Sequence, residues 1–414
     1  MDPRPPRRDD EDYALLRRLR SRRREPHPDT MAFVERLQAG VCTRQPKPMT
    51  TADFIRAMPA GATGAQIAEM TRYFEEIESS IRPPTPYESA GHHKKVQLCA
   101  AELDEAAARL GRRRGAADPP VFALMEFGHV NARTIRAPHT GDSIVLVDTE
   151  LLQFLFLFSK AVALAVPTGS PAPDGWLTYA TRIDDVRAHL RSDGRALARF
   201  SDVVLSYAMT GRASHAEAYR VPLGTERLYG IIMRAAQTFV LAHEYAHVLL
   251  GHLSDGRRDA SGADGERVAQ SLWSLALEGH ADRVGLNLTL DVMRRQGYDH
   301  NFTYWGVELF FHANEIATEA ISLLRSGHEW RGLSDGERHQ RASVNARRTI
   351  LKALFAAEMK QAVGDEAAFE RVWNETETGL DVVHEIVRAL WTATVPMLKK
   401  AHAAGARPSS AWDG

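Results

Sequence analysis

The sequence predicts a mainly α protein with a small β-sheet, an α+β fold, and three observations carry that prediction. Apolar residues recur three or four apart through most of the chain, the period of helices that bury one face. Short β-prone runs are confined to residues 120–149. Leu228, Ile231, Ile232, Ala235, Phe239, Ala242, Ala246 and Leu249 form one continuous stripe, which marks a long buried helix. With 414 residues, 44% of them apolar and 25% charged, the chain can bury a large core. Its net charge of -1 gives no overall field toward nucleic acid or a membrane surface, so no nucleic-acid partner is expected.

Taken in order, residues 1–29 read as a solvated tail in which Asp9, Asp10, Glu11 and Asp12 offset the cluster Arg17, Arg18, Arg20, Arg22, Arg23 and Arg24. No apolar segment follows the first basic residues, so a secretory signal is not expected and the expected location is cytoplasmic. The two cysteines, Cys42 and Cys99, suit reduced structural positions. Residues 30–119 read as a helical region. In it Thr50 or Thr51 is placed to cap a short helix, and Ile67, Met70, Tyr73, Phe74 and Ile77 stripe the next. Pro83, Pro84 and Pro86 break the pattern, and a further helix runs from about Lys94 to Arg112.

Residues 120–402 read as the main domain. Val121–Leu124, Val130–Ile135 and Ser143–Asp148 are its predicted strands, with a turn at Pro138–Asp142. The apolar run Leu151–Val166 contains Lys160 and is shorter than the roughly 20 residues of a spanning helix, so it predicts a core helix and no membrane span. Pro167–Gly175 is expected as a loop, and the insertion at about 167–225 as mostly helical from residue 176. The striped helix should end at Gly251, before a polar Gly/Asp loop at Ser254–Gly265. Four or five helices follow to about Ala401, and residues 403–414 form a tail.

The striped helix holds the chain's only His-Glu-x-x-His arrangement, His243-Glu244-Tyr245-Ala246-His247. Residues four apart lie above one another on a helix, so both imidazoles can aim at one point. Glu244 stands about 100° further round, where a carboxylate can take a proton from water on a metal. Two ligands do not complete a zinc site, and the candidates for a third are His252, His280 and Glu278. His252 follows too closely and reads as a helix-end residue, and His280 points away from Glu278. Glu278 lies on a second helix at a distance that allows a loop and an antiparallel return, and Gly279 is expected to let the two helices approach. Asp282, one turn further, can fix the ring orientation of a liganding histidine. The apolar neighbours Leu275, Leu277, Ala281 and Val284 argue against a fully exposed face. Other histidine pairs read as bland: His92-His93 diverge on a helix, while His328-Glu329 and His384-Glu385 lack a second histidine at helical spacing.

His243-Glu-x-x-His247 followed by Glu278-x-x-Ala-Asp282 resembles the gluzincin zinc metallopeptidases, in the pattern of the CAAX-prenyl-protease and heat-shock-protease group and its soluble relatives. The phage-exclusion peptidases are also similar around this helix. Asn131-Ala132 and Ser143–Leu152 extend the likeness to the strands and helix upstream. The resemblance implies a zincin-like core with helical additions, about one zinc ion per chain, His243, His247 and Glu278 as ligands, Glu244 as general base and Asp282 behind the ligands. It also implies a transition-state donor downstream. The nearest stretch is His339–Arg348, where His339 is the candidate, although the proline of the family pattern is missing and the arginine is displaced. The expected function is soluble zinc-dependent hydrolysis of peptide bonds in a protein or peptide substrate, held extended along the sheet edge near Val130–Arg133. The rival expectation is a metal-stabilised, catalytically silent module, with the extra sequence meeting a regulatory protein partner.

Overall fold

The computed structural model describes residues 25–42, 63–112, 118–126, 132–171, 177–179, 182–253, 264–328 and 335–409. The chain divides into two compact units, one of residues 1–127 and 133–149, the other of residues 128–132 and 150–414. Among the described residues it is mainly helical with a small sheet, the α+β class that the periodicity predicts.

The first unit contains helices α1 (Pro28–Val41), α2 (Gly64–Ser80) and α3 (Ala90–Arg109) and strands β1 (Val121–Met125), β2 (Ala132–Arg136) and β3 (Ser143–Asp148). The expected cap at Thr50 or Thr51 lies outside the described residues. The strand order is β1-β3-β2, and β1 runs parallel to β3 from Val121 opposite Ile144 to Met125 opposite Asp148. Both are buried along their whole length, which is why they read as unbroken apolar runs instead of alternating ones. Val34 of α1 packs into the same core as Val121, Ala123, Met125, Ile144 and Leu146.

Strand β1 lies at an edge of the sheet, where unpaired backbone groups would carry a cost. Side chains pair them instead. Phe122 O accepts from Arg82 Nη2 at 2.8 Å and Gln97 Nε2 at 3.0 Å, Leu124 N donates to Glu88 Oε1 at 2.9 Å, and Gln38 Nε2 donates to Leu124 O at 2.8 Å. Arg82 and Glu88 form a bidentate pair at 2.8 Å, and His93 Nδ1 lies 3.1 Å from Glu88. The segment broken by Pro83, Pro84 and Pro86 is thus fastened to the strand by a buried ion pair.

The second unit begins with α4 (Thr149–Leu164), whose Leu151, Phe154, Leu155 and Phe158 enter the main core as the apolar run predicts. No helix among the described residues is long and apolar enough to cross a membrane. Two short strands differ from what the sequence predicts. Strand β4 (Thr168–Pro171) lies where a loop is expected, and it pairs antiparallel with β5 (Leu177–Tyr179), which lies in the insertion expected to be mostly helical. Strands of three and four residues are too short to display a period of two, so the β signal is not confined to residues 120–149.

Helices α5 (Ile183–Ser192), α6 (Arg195–Thr210), α7 (Leu223–Leu249), α8 (Asp264–Arg295), α9 (His300–Ser326), α10 (Asp335–Val363) and α11 (Glu366–Ala403) complete the unit, with a short 3-10 turn at Ala213–His215. Among the described residues, the four helices from residue 264 onward fall within the predicted number. Helix α9 packs against α7 and α11 and is buried along most of its length. Asp299 caps its start, accepting from Asn301 N at 2.7 Å, and Gly327 ends it in the left-handed conformation at φ +73°. Tyr304 of α9 stacks on Phe355 of α10 with ring centroids 4.3 Å apart.

Close approach to α7 depends on two glycines. A Cβ at Gly306 of α9 would lie 2.5 Å from Ala235 Cβ and Ile232 O. At Gly285 of α8 it would lie 3.0 Å from His243 N. Gly279, which the sequence reading placed at this contact, would meet nothing within 4 Å. The reason is helical phase: Glu278, Asp282 and Gly285 are spaced i, i+4 and i+7 on the face toward α7, and Gly279 is off it.

Candidate metal centre

The stripe that buries α7 brings His243, Glu244 and His247 out of solvent with it; they are 9%, 8% and 5% exposed. His243 Nε2 and His247 Nε2 are 3.2 Å apart. Glu278 of α8 completes a triangle, with Oε2 3.2 Å from His243 Nε2 and Oε1 3.5 Å from His247 Nε2. Two ligands at 2.0–2.1 Å from a tetrahedral ion stand about 3.3 Å from each other. The three edges therefore fit one zinc-sized ion, and two imidazoles with a carboxylate are the donor set of a catalytic zinc site. Glu278 is the most open of the three, its side chain 28% exposed, so the triangle has a solvent side.

Behind the triangle, Asp282 Oδ1 lies 2.9 Å from His243 Nδ1, the contact expected from its place one turn after Glu278. Asp282 is itself 1% exposed and accepts from Arg347 of α10 twice, at 2.6 Å from Nε and 2.8 Å from Nη2. Arg347 Nη1 also reaches to 3.4 Å from Glu278 Oε2. Arg347 was visible in the sequence only as a displaced arginine. Its role depends on a fold that joins residues 65 apart, which no local spacing reveals.

His252 is the second omission. Gly251 takes φ +70° past the end of α7, and His252 N donates to His247 O at 3.0 Å, so the helix closes with a left-handed turn. That turn folds His252 back until its Nδ1 lies 2.9 Å from His247 Nδ1. The residue read as a helix end thus touches the far nitrogen of a candidate ligand. His280 is exposed, as its phase implies. His339 falls within α10, but its side chain lies outside the described residues, as do residues 130 and 131 of the expected peptide-binding edge and residues 254–263 of the expected loop.

The electrostatics favour a cation. Burial works against a charged His243, yet the carboxylates of Asp282 and Glu278 outweigh it and push the imidazole up to about 10. Burial would raise Glu278, but His243, Arg347 and His247 hold it at about 2. Asp282 is also held below its ordinary value, because Arg347 and His243 overcome the effect of its burial.

A second group escapes the sequence reading altogether: Glu308, His312 and His384 bring their ligand atoms within 4.8 Å of one another. His384 lacks a partner at helical spacing, and here the partners come from another helix.

Comparison of the chain with protein-family models, with curated proteins and with solved structures returned no match.

Proposed function

We propose that this protein is a zinc-dependent metallopeptidase of the gluzincin type, with His243, His247 and Glu278 as the metal ligands. The observation that carries the reading is the triangle of donor atoms with edges of 3.2, 3.2 and 3.5 Å, beside a buried Glu244. A zinc ion held there would supply a Lewis acid and bring the pKa of a bound water to about 7.

The chain's own residues do the rest. Glu244 takes the proton of the attacking water and delivers it to the leaving amine of the scissile peptide bond. Asp282 accepts from His243 Nδ1–H, which leaves Nε2 free to ligate and fixes the ring. Arg347 holds Asp282 with two hydrogen bonds and draws Glu278 toward the same point. The substrate is a protein or peptide, and a structural site would have no need of Glu244.

The test has two parts. Elemental analysis of the folded chain, freed of weakly held ions, is expected to find about one zinc, lost in His243→Ala and Glu278→Ala. Glu244→Gln should keep the metal while cleavage of a pool of unfolded peptides, read as new termini by mass spectrometry, falls at least about 100-fold. A folded chain without metal overturns the reading. Metal without any Glu244-dependent cleavage favours the silent, metal-stabilised module.

A further inference from the structure

We propose that Glu308, His312 and His384 form a second divalent-metal site, suited to zinc, whose place is held by the guanidinium of Arg348 when no ion is bound. Three helices build it. Glu308 and His312 lie one turn apart on α9, His384 comes from α11 and Arg348 from α10. Arg348 Nη2 is 3.1 Å from His312 Nε2, 3.1 Å from His384 Nε2 and 2.8 Å from Glu308 Oε2.

The guanidinium fixes the tautomer of both rings. It donates hydrogen bonds and accepts none, so both imidazoles must present Nε2 lone pairs and carry their protons on Nδ1. That is the tautomer in which Nε2 ligates a metal. Two imidazole lone pairs and a carboxylate aimed at one cation repeat the donor set of the first centre. Glu308 Oε2 and His384 Nε2 are already 3.5 Å apart, near the spacing of ligands on one tetrahedral ion.

An ion and the guanidinium cannot share this point, so entry requires Arg348 to leave. Glu315 offers it a destination, its Oε2 3.8 Å from Arg348 Nη1. The side chain of His384 is 39% exposed, so an ion has a way in and the ring has room to adjust. Competition with an internal cation makes this site weaker than the first. It also gives the site a distinctive response to mutation, because removing Arg348 tightens binding where removal of a structural ion-pair partner would not.

The probe is Zn2+ alone, titrated into the full chain after chelation, in a His243→Ala, His247→Ala background that removes the first centre. Far-UV circular dichroism verifies the fold of each variant. About one zinc per chain is expected to bind in this background. Adding Arg348→Gln should raise the affinity more than about tenfold, and adding His384→Ala should lower it by more than the same factor. Where that background does not fold, the unmutated chain serves, the site then appearing as a second, weaker equivalent that His384→Ala removes and Arg348→Gln strengthens. Binding indifferent to both substitutions, or no binding even with Arg348→Gln, overturns the proposal. Because the first centre is absent from the background, either failure leaves the peptidase reading untouched.

Discussion

Asp282 is almost fully buried, holds His243 on one side and takes both hydrogen bonds of Arg347 on the other, so a single carboxylate sets the geometry of a ligand it does not replace. Asp282→Asn preserves the shape and removes the charge. Zinc affinity, measured by competition with a chromogenic chelator, should fall about 10–100-fold; unchanged affinity would mean that His243 is oriented by packing alone. Glu88 makes a parallel case in the first unit, without a metal. Burial raises its carboxyl, but His93 and Arg82 outweigh that and hold it at about 2, below its ordinary 4.5. A carboxylate depressed in the folded state contributes stability above the unfolded value and loses it as the pH falls toward the folded one. The first unit should therefore weaken between about pH 4.5 and 2. Glu88→Gln should cost about 3–5 kcal/mol at pH 7 by leaving Arg82 buried and unpaired, and it should abolish that part of the acid transition. Denaturation followed by far-UV circular dichroism across pH checks both outcomes.

Between elements, the contact that matters is α8 on α7, and the two glycines of α8 separate its causes. A Cβ at Gly285 meets the backbone of His243, which cannot swing aside as a side-chain tip can. Gly285→Ala should destabilise by about 1–3 kcal/mol and weaken zinc binding, because α8 must move while carrying Glu278. Gly279→Ala meets open space and should instead stabilise by up to about 1 kcal/mol through helix propensity. Thermal melts and zinc titrations of the pair decide whether helix separation governs the site. The same pair marks where sequence reasoning stops. The i, i+4 spacings that unite His243 with His247 and Glu278 with Asp282 are local, so they were legible. Which glycine faces α7 depends on the phase between two helices, and Arg347, His312 and His384 are brought in by contacts far apart in sequence. Those residues belong to ordinary amphipathic helices until the bundle forms.

For the whole molecule, the helical periodicity gave the class and the placement of the long helices. The pairing of β4 with β5 and the division at residues 149 and 150 left no trace in it. That division offers a direct test of where a bound ion acts. All seven tryptophans, Trp176, Trp273, Trp305, Trp330, Trp373, Trp391 and Trp412, lie in the second unit, which also contains both histidine clusters. An ion that binds only the folded state stabilises it by about 4 kcal/mol at a free concentration a thousand times its Kd. Stability of that size corresponds to a melting shift of order 10 °C for a unit this large. Tryptophan-detected melting should therefore fall by that amount when a chelator is added, and recover with zinc. In His243→Ala the chelator should leave only the smaller shift of a weaker site, and His384→Ala added to it should erase that as well. A chelator shift that survives both substitutions would place the stabilising ion outside the two clusters, and no shift in the unmutated chain would remove the metal from the folding energetics altogether.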